Sequence, residues 1–240
     1  MAIKKHIPNT ITCMNLFSGC VACVMAFKGE LLLASLFIYL GAVFDFFDGM
    51  VARLLKVSSP IGKELDSLAD CITFGMAPGL IMFSFLQTYC ETPCAYIPYV
   101  AFLIPVFSAL RLAKFNIDER QTSSFIGLPT PANAVFLASS AALFDIEGYN
   151  VEALKPFMQN VYVVIAVIAV ILVMCYLLVC ELPMFSLKFK SLKWADNKSQ
   201  FILIGSSVIL LAVFKLAAIP MIILLFIFMS VILFFMKKGK

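Results

Sequence analysis

Charged residues are scarce in this sequence. They make up 13% of its 240 residues, whereas hydrophobic residues make up 62%. A water-soluble domain has about a quarter charged and about half apolar residues. One aqueous core cannot bury this much apolar surface, so the composition excludes a soluble globular domain and indicates a lipid surrounding. Apolar stretches close to the roughly 20 residues that cross a bilayer recur between short polar breaks.

The sequence also lacks the patterns of other protein classes. It has no basic stripe interleaved with aromatic residues outside the apolar stretches, which argues against nucleic-acid binding. No small-x-small cleavage site precedes Lys28, so the first apolar stretch is predicted to remain as a membrane helix. Cys20 and Cys23 form a CxxC inside that stretch, where core packing is the better interpretation. Cys90 and Cys94 share a short loop, where a disulfide is an open alternative.

The hydropathy pattern predicts an all-α, polytopic transmembrane helical bundle. Helices are expected because backbone groups in hydrocarbon must form hydrogen bonds within their own segment. The eight predicted spans are 9–27, 29–54, 66–89, 95–117, 130–146, 157–181, 199–216 and 218–236.

Basic residues predict the orientation of these spans. Of the 18 lysines and arginines, only Lys28, Lys155 and Lys215 fall on one side, and the other 15 fall on the opposite side. Basic residues concentrate on the cytoplasmic side of membrane proteins, so both termini are predicted to be cytoplasmic. The formal net charge of +4 is therefore a signal of topology.

Acidic residues lie where a membrane helix disfavours them. Asp45 and Asp48 are near the end of the second predicted span, and Asp66 and Asp70 are near the start of the third. An unpaired carboxylate in or near lipid costs several kcal/mol, so such residues face a polar cavity, a partner or a metal. Residues three or four apart share one face of a helix. Since a short turn joins these two helices, their acidic stripes are predicted to face each other.

Converging carboxylates repel one another and need cations between them. Oxygen ligands without histidine or thiolate favour Mg²⁺, Mn²⁺ or Ca²⁺. Gly49, Ala52 and Gly62 lie on the acidic faces, where they are predicted to leave room for the sugar and phosphates of a ligand. Two other interpretations stay open here. The aspartates could pair with Arg53 or Lys63, and the small residues could serve helix packing.

The same residues form a known motif. The segment from Asp45 to Asp70 reads Asp-x-x-Asp-Gly-x-x-Ala-Arg, eight residues, then Gly-x-x-x-Asp-x-x-x-Asp. It resembles the signature of the CDP-alcohol phosphotransferases at every fixed position. The resemblance implies a pair of divalent cations, Mg²⁺ or Mn²⁺, with the CDP diphosphate across them and Asp70 as the general base. The metal ligands that it implies are Asp45, Asp48, Asp66 and Asp70. The CDP-binding residues that it implies are Asp48, Gly49, Ala52, Arg53, Gly62 and Asp66.

Further segments resemble the phosphatidylserine synthase branch of that family. They are Pro-Asn-Thr-Ile-Thr at 8–12 with Asn15, Thr-Phe-Gly-Met-Ala-Pro at 73–78, Arg-Leu-Ala-Lys-Phe-Asn at 111–116 and Gly-Leu-Pro-Thr-Pro at 127–131. The resemblance implies CDP-diacylglycerol and L-serine as substrates and a homodimer. We hypothesise that Arg111, Lys114 and Asn116 lie at a site for the serine carboxylate or the lipid phosphate. The topology signal alone would also place basic residues here.

The resemblance also divides the chain. Residues 1–183 are predicted to form a catalytic core of six spans, and residues 184–240 a cytoplasmic linker with two additional spans. The active site is expected on the cytoplasmic side of the plasma (inner) membrane. Alternative functions stay open: the same chemistry with glycerol 3-phosphate or inositol as acceptor, a cation transporter, or a structural membrane protein. The lack of an internal repeat argues against a transporter.

Overall fold

Helices make up nearly all of the described chain, which confirms the predicted all-α class. The structure is a computed structural model that describes residues 2–89, 95–118, 125–145, 160–185 and 197–238. Its α-helices are α1 (Ala2–Phe27), α2 (Leu31–Leu55), α3 (Pro60–Asp70), α4 (Ala77–Tyr89), α5 (Leu103–Ile117), α6 (Thr130–Ala142), α7 (Val161–Val179), α8 (Lys198–Phe214) and α9 (Ala218–Lys238). A π-helical segment (Cys71–Met76) joins α3 to α4, and 3₁₀ segments cover Ile97–Phe102, Leu143–Asp145 and Lys215–Ala217. Strands β1 (Phe125–Ile126) and β2 (Pro183–Met184) pair antiparallel.

Six segments of the described residues are long and apolar enough to cross a bilayer. They are His6–Phe27, Leu31–Leu55, Pro60–Thr88, Ile97–Ile117, Val161–Val179 and Lys198–Met236. The last contains α8 and α9, which pack against each other on either side of a break at Lys215, where φ is 51°. The 3₁₀ segment Lys215–Ala217 overlaps the predicted boundary between the seventh span, 199–216, and the eighth, 218–236. The number of crossings and the location of the termini stay predictions.

The predicted fifth span, residues 130–146, corresponds to a short helical segment. Helix α6 has 13 residues, about 20 Å at 1.5 Å per residue, and continues into the 3₁₀ segment Leu143–Asp145. Most side chains of α6 are buried, and it packs against α2, α4 and α9. Protein therefore surrounds this segment, and its crossing of the bilayer stays a prediction.

Large apolar side chains cover the outside of the bundle. Phe27, Leu54 and Ile117 are 80%, 72% and 81% exposed, respectively, and many other leucines, isoleucines and phenylalanines are exposed with them. A soluble monomer rarely exposes contiguous apolar patches of more than a few hundred Å². This surface is suited to lipid, and the molecule is an integral membrane protein.

The turn between α2 and α3 follows from local sequence chemistry. Lys56 takes a left-handed conformation after Leu55, and its N–H bonds back to the last turn of α2. Ser59 then caps α3, since its hydroxyl oxygen accepts a 3.0 Å hydrogen bond from the Gly62 N–H. Pro60 occupies the first turn, where its missing N–H costs nothing. These residues end one acidic helix and begin the next within a few positions.

Helix α1 lies between the two acidic helices. It packs along α2 and also contacts α3, the π segment and α4, whereas α2 and α3 make little backbone contact with each other. The short turn predicted that the acidic stripes of α2 and α3 face each other. Their carboxylates do converge, although α2 and α3 themselves make little contact and α1 packs against both helices.

Candidate active site

Carboxylates from α2 and α3 lie together. One carboxylate oxygen from each of Asp45, Asp48 and Asp66 lies within 4.8 Å of the other two. The Asp45 side chain also interacts with the side chain of Asp70. Asp48 and Asp70 are buried, and the other two are partly buried. The two helices therefore bring all four predicted aspartates into one cluster, with Asp70 at its edge.

Helix α1 supplies polar contacts to this cluster. The Thr12 hydroxyl donates to Asp48 Oδ2 at 2.6 Å and also lies 3.1 Å from the Pro8 carbonyl oxygen. Asn15 Nδ2 donates to Asp70 Oδ1 at 3.2 Å. Sequence reasoning did not assign these two side chains to the site. Their signal was present, since both belong to the polar N-terminal segment that was used only for the family resemblance.

A cavity opens beside the carboxylates. Its volume is about 300 Å³, within the range of small-molecule sites. Its lining combines acidic, hydroxyl and amide side chains with one lysine and positions that carry little side chain. The lining residues are Pro8, Asn9, Thr12, Asp48, Gly49, Ala52, Val57, Ser58, Ser59, Gly62, Lys63 and Asp66.

The two glycines that line this cavity serve different purposes. A Cβ at Gly49 would meet no atom within 4 Å, so its missing side chain leaves space open in the cavity. A Cβ at Gly62 would lie 2.9 Å from both Asn9 Oδ1 and Ser59 Oγ. Gly62 therefore lets α1 and the cap of α3 approach closely. The open space at Gly49 is what the ligand interpretation predicts, and the close contacts at Gly62 are those of helix packing.

Arg53 lies at the surface beside the cavity lining, and its predicted role in CDP binding stays a prediction. Its side chain is exposed and is not part of the cavity lining, although the neighbouring Ala52 is. Lys63 is the basic residue of that lining, and its Nζ donates to the Asn116 carbonyl oxygen at 2.9 Å. Motif spacing alone could not distinguish which of these two cations faces the cavity.

The donor set fits hard divalent cations. Several carboxylates at this separation repel one another strongly in a partly buried setting, and a cation between them removes that repulsion. The ligand atoms are all oxygens, which Mg²⁺-type and Ca²⁺-type ions prefer. Asp45, Asp48 and Asp66 would hold such ions, and the Asp70 side chain interacts with that of Asp45 beside them.

Comparison with known proteins agrees with this chemistry. Residues 5–179, more than half of the chain, match the family model of CDP-alcohol phosphatidyltransferase. The chain belongs to the CDP-alcohol phosphatidyltransferase family. The matched region ends near residue 183, the predicted end of the catalytic core.

Three curated relatives carry the same name. A CDP-diacylglycerol–serine O-phosphatidyltransferase of Bacillus subtilis is 38% identical over 131 residues, which cover 53% of this chain and 70% of that protein. Proteins of the same name from Helicobacter pylori (strain 26695) and Saccharomyces cerevisiae are 37% and 35% identical, respectively. Those matches cover 54% and 59% of this chain. The matched regions cover 54% of the Helicobacter pylori protein and 55% of the Saccharomyces cerevisiae protein, so the chain spans about half the length of these two relatives.

Arg111, Lys114 and Asn116 have different surroundings on α5. They are the residues hypothesised from the sequence to bind the serine carboxylate or the lipid phosphate. The Arg111 side chain is buried and within electrostatic range of Asp70, and its Nε has no hydrogen-bond partner among the described residues. Lys114 is exposed and donates to the Val179 carbonyl oxygen at 3.4 Å. The Asn116 amide donates to Ser67 Oγ at 2.8 Å and thereby joins α5 to α3. Only Arg111 combines burial with proximity to the carboxylates.

Proposed function

We propose that this protein transfers the phosphatidyl group of CDP-diacylglycerol to the hydroxyl of L-serine, giving phosphatidylserine and CMP. The observation that carries the proposal is the cluster of Asp45, Asp48 and Asp66 beside an open cavity of about 300 Å³. A site for cations next to space for a nucleotide is the arrangement that pyrophosphate chemistry requires. Family membership supplies the CDP-alcohol class, and the names of the relatives support serine.

The proposed reaction is a displacement at phosphorus. The serine hydroxyl oxygen forms a bond to the phosphorus that carries diacylglycerol, and the bond from that phosphorus to the oxygen of CMP breaks. Divalent cations, Mg²⁺ or Mn²⁺, would stabilise charge on the attacking and leaving oxygens when bound. Asp70 would accept the hydroxyl proton, since it lies at the edge of the cluster with one oxygen held by Asn15.

Arg111 is the proposed ligand of the serine carboxylate. It is a buried guanidinium near Asp70 with an unpaired Nε, and a planar guanidinium suits a carboxylate. Binding there would place the acceptor beside the proposed base. Lys114 and Asn116 already contact other parts of the protein, so we assign them the positioning of α5.

A CMP-release assay tests the reaction. The purified protein is incubated with CDP-diacylglycerol, Mn²⁺ and, in turn, labelled serine, glycerol 3-phosphate or inositol. Of the three acceptors, we expect only serine to give CMP together with a labelled lipid product, phosphatidylserine. Release of CMP with another acceptor in preference to serine would overturn the acceptor assignment. Metal flux into vesicles without CMP release would favour transport.

A pair of variants on α3 tests the site. Asp66→Asn should abolish turnover in a protein that still inserts and folds, because it removes a charge from the cluster. Glu64→Gln is the matched control, since this carboxylate on the same helix is exposed. Turnover by Asp66→Asn near the level of Glu64→Gln would remove the catalytic proposal.

The position of the site in the cell also stays a proposal. The cluster lies at the end of α2 where basic residues concentrate, which supports a cytoplasmic active site in the plasma (inner) membrane. A homodimer stays a prediction from the family resemblance. The Cys90 and Cys94 positions lie outside the described residues.

A further inference from the structure

Three polar residues form a buried contact between α1 and the helix that carries the proposed base. Asn15 Nδ2 donates to Asp70 Oδ1 at 3.2 Å, and Thr73 Oγ1 donates to the Asn15 carbonyl oxygen at 3.0 Å. Asn15 and Thr73 have no exposed surface, and Asp70 is 8% exposed. The same asparagine therefore meets Asp70 through its side chain and Thr73 through its backbone.

Thr73 makes its hydrogen bond in an unusual direction for a helical threonine. A threonine inside a helix ordinarily bonds a carbonyl three or four residues earlier on its own helix. Here the hydroxyl bonds across to α1 from within the π segment Cys71–Met76, which begins directly after Asp70. Short π segments interrupt α-helices frequently at functional sites. The Thr73 hydroxyl therefore links the π segment to α1.

Two glycines hold Thr73 in this place. A Cβ at Gly19 of α1 would collide with Thr73 Oγ1 and would lie 2.8 Å from Thr73 Cα. A Cβ at Gly41 of α2 would lie 2.5 Å from Thr73 Cγ2 and 3.0 Å from Asn15 Oδ1. Both helices therefore close on Thr73 from the two sides, and the threonine has little freedom to rotate.

The side-chain amide of Asn15 is buried at some energetic cost, which indicates that its hydrogen bond to Asp70 has a role. Its Oδ1 is buried and has no hydrogen-bond partner among the described residues. An unpaired buried acceptor is unfavourable, and an apolar side chain of similar size would avoid it. What the amide provides is a donor to one oxygen of Asp70. That donor holds one oxygen of Asp70, whose side chain also interacts with the side chain of Asp45.

We infer that Asn15 and Thr73 are positioning residues that fix the carboxylate of Asp70 for proton transfer. The inference rests on the proposed function, in which Asp70 accepts the proton of the acceptor hydroxyl. Thr73 fixes the α1 backbone at Asn15, and Asn15 fixes one oxygen of the base. Neither residue contacts the substrate in this scheme.

A pair of substitutions at Thr73 tests this inference in the purified full-length protein. Thr73→Val keeps the shape and removes the hydroxyl, whereas Thr73→Ser keeps the hydroxyl. We expect Thr73→Val to lower kcat by about 10- to 100-fold, the effect of misplacing a reacting group by up to about 1 Å. Its KM for CDP-diacylglycerol and its Mn²⁺ affinity should stay within about twofold of wild type, since the three clustered carboxylates are untouched. Thr73→Ser should retain most of the turnover.

A second pair keeps the test informative if Thr73→Val folds poorly. Gly41→Ala should lower kcat because its new methyl group meets Thr73 Cγ2. Adding Thr73→Ser deletes that methyl group of threonine and leaves the 3.0 Å approach to Asn15 Oδ1, so the double variant Gly41→Ala/Thr73→Ser should recover part of the lost turnover. Thr88→Val, an exposed threonine of α4, is the control for removing a hydroxyl.

Three outcomes would overturn the inference: unchanged kcat in Thr73→Val, an equal loss of Mn²⁺ affinity, or no recovery in the double variant. Each leaves the proposed function intact as long as wild type releases CMP with serine. Failure of wild type to release CMP would instead remove the proposed function and this inference with it.

Discussion

Replacing Thr12 with valine removes a hydroxyl that α1 offers to the carboxylate cluster. Valine has nearly the same shape, so packing around this buried position is kept. The hydroxyl has one proton and lies near two acceptors. The 2.6 Å contact to the charged Asp48 Oδ2 is the stronger one, compared with 3.1 Å to the Pro8 carbonyl. The main loss in Thr12→Val is therefore the hydrogen bond that orients Asp48.

The size of the effect follows from that contact. A hydrogen bond to a charged group contributes about 1.5–3 kcal/mol, and every 1.4 kcal/mol is about tenfold in affinity. Loss of a partner that orients a metal ligand costs about 10- to 100-fold in metal affinity or activity. We expect Thr12→Val to weaken Mn²⁺ binding within this range, and CMP release should need correspondingly more Mn²⁺.

Calorimetric titration of Mn²⁺ into protein in detergent, together with the Mn²⁺ dependence of CMP release, measures this effect. Thr12→Ser should bind Mn²⁺ much as wild type does, because its hydroxyl remains. Thr10→Val is the matched control, since Thr10 is exposed and its hydroxyl bonds only its own helix, at the His6 carbonyl. Equal Mn²⁺ affinity in Thr12→Val and Thr10→Val would refute the reasoning.

Three further outcomes are expected. Ser59→Ala should lower the stability of the protein by about 1 kcal/mol, the usual cost of losing a helix cap, and thermal unfolding compared with Ser58→Ala measures it. Gly127→Ala should destabilise by more than about 1 kcal/mol, because φ is +76° and the new Cβ would lie 2.6 Å from the Leu178 carbonyl oxygen. Gly205→Ala is its control in the same melting experiment, since a Cβ there meets nothing within 4 Å and stability should hold or rise. Chelation with EDTA should abolish CMP release and Mn²⁺ should restore it; turnover that survives chelation would contradict a metal-dependent site.

The spacing of the aspartates in the sequence was sufficient to predict that their carboxylates lie together. Aspartates three and four residues apart on two helices joined by a short turn can converge, and the structure brings them within reach of one another. Nothing in that spacing predicted that α1 contacts the carboxylates, because Thr12 and Asn15, which make these contacts, are short polar side chains without a charge. Their role depends on how α1 packs, which is a property of the whole bundle.

Sequence patterns could not predict the burial of individual residues and helices, because burial depends on how the helices pack. Arg111 and Lys114 are both basic and close together on α5, yet one is buried near Asp70 and the other is exposed. That difference depends on which face of α5 turns inward. The π segment after Asp70 has no sequence signal of its own, and hydropathy did not indicate how fully protein encloses α6.

The position of α1 along the chain has a consequence for assembly. Protein synthesis proceeds from the N-terminal side, so α1 is made before the two helices whose carboxylates it contacts. Thr12 and Asn15 can therefore be in the membrane when Asp48 and Asp70 arrive. Each acidic group then enters the bilayer edge beside a hydrogen-bond donor that is already present.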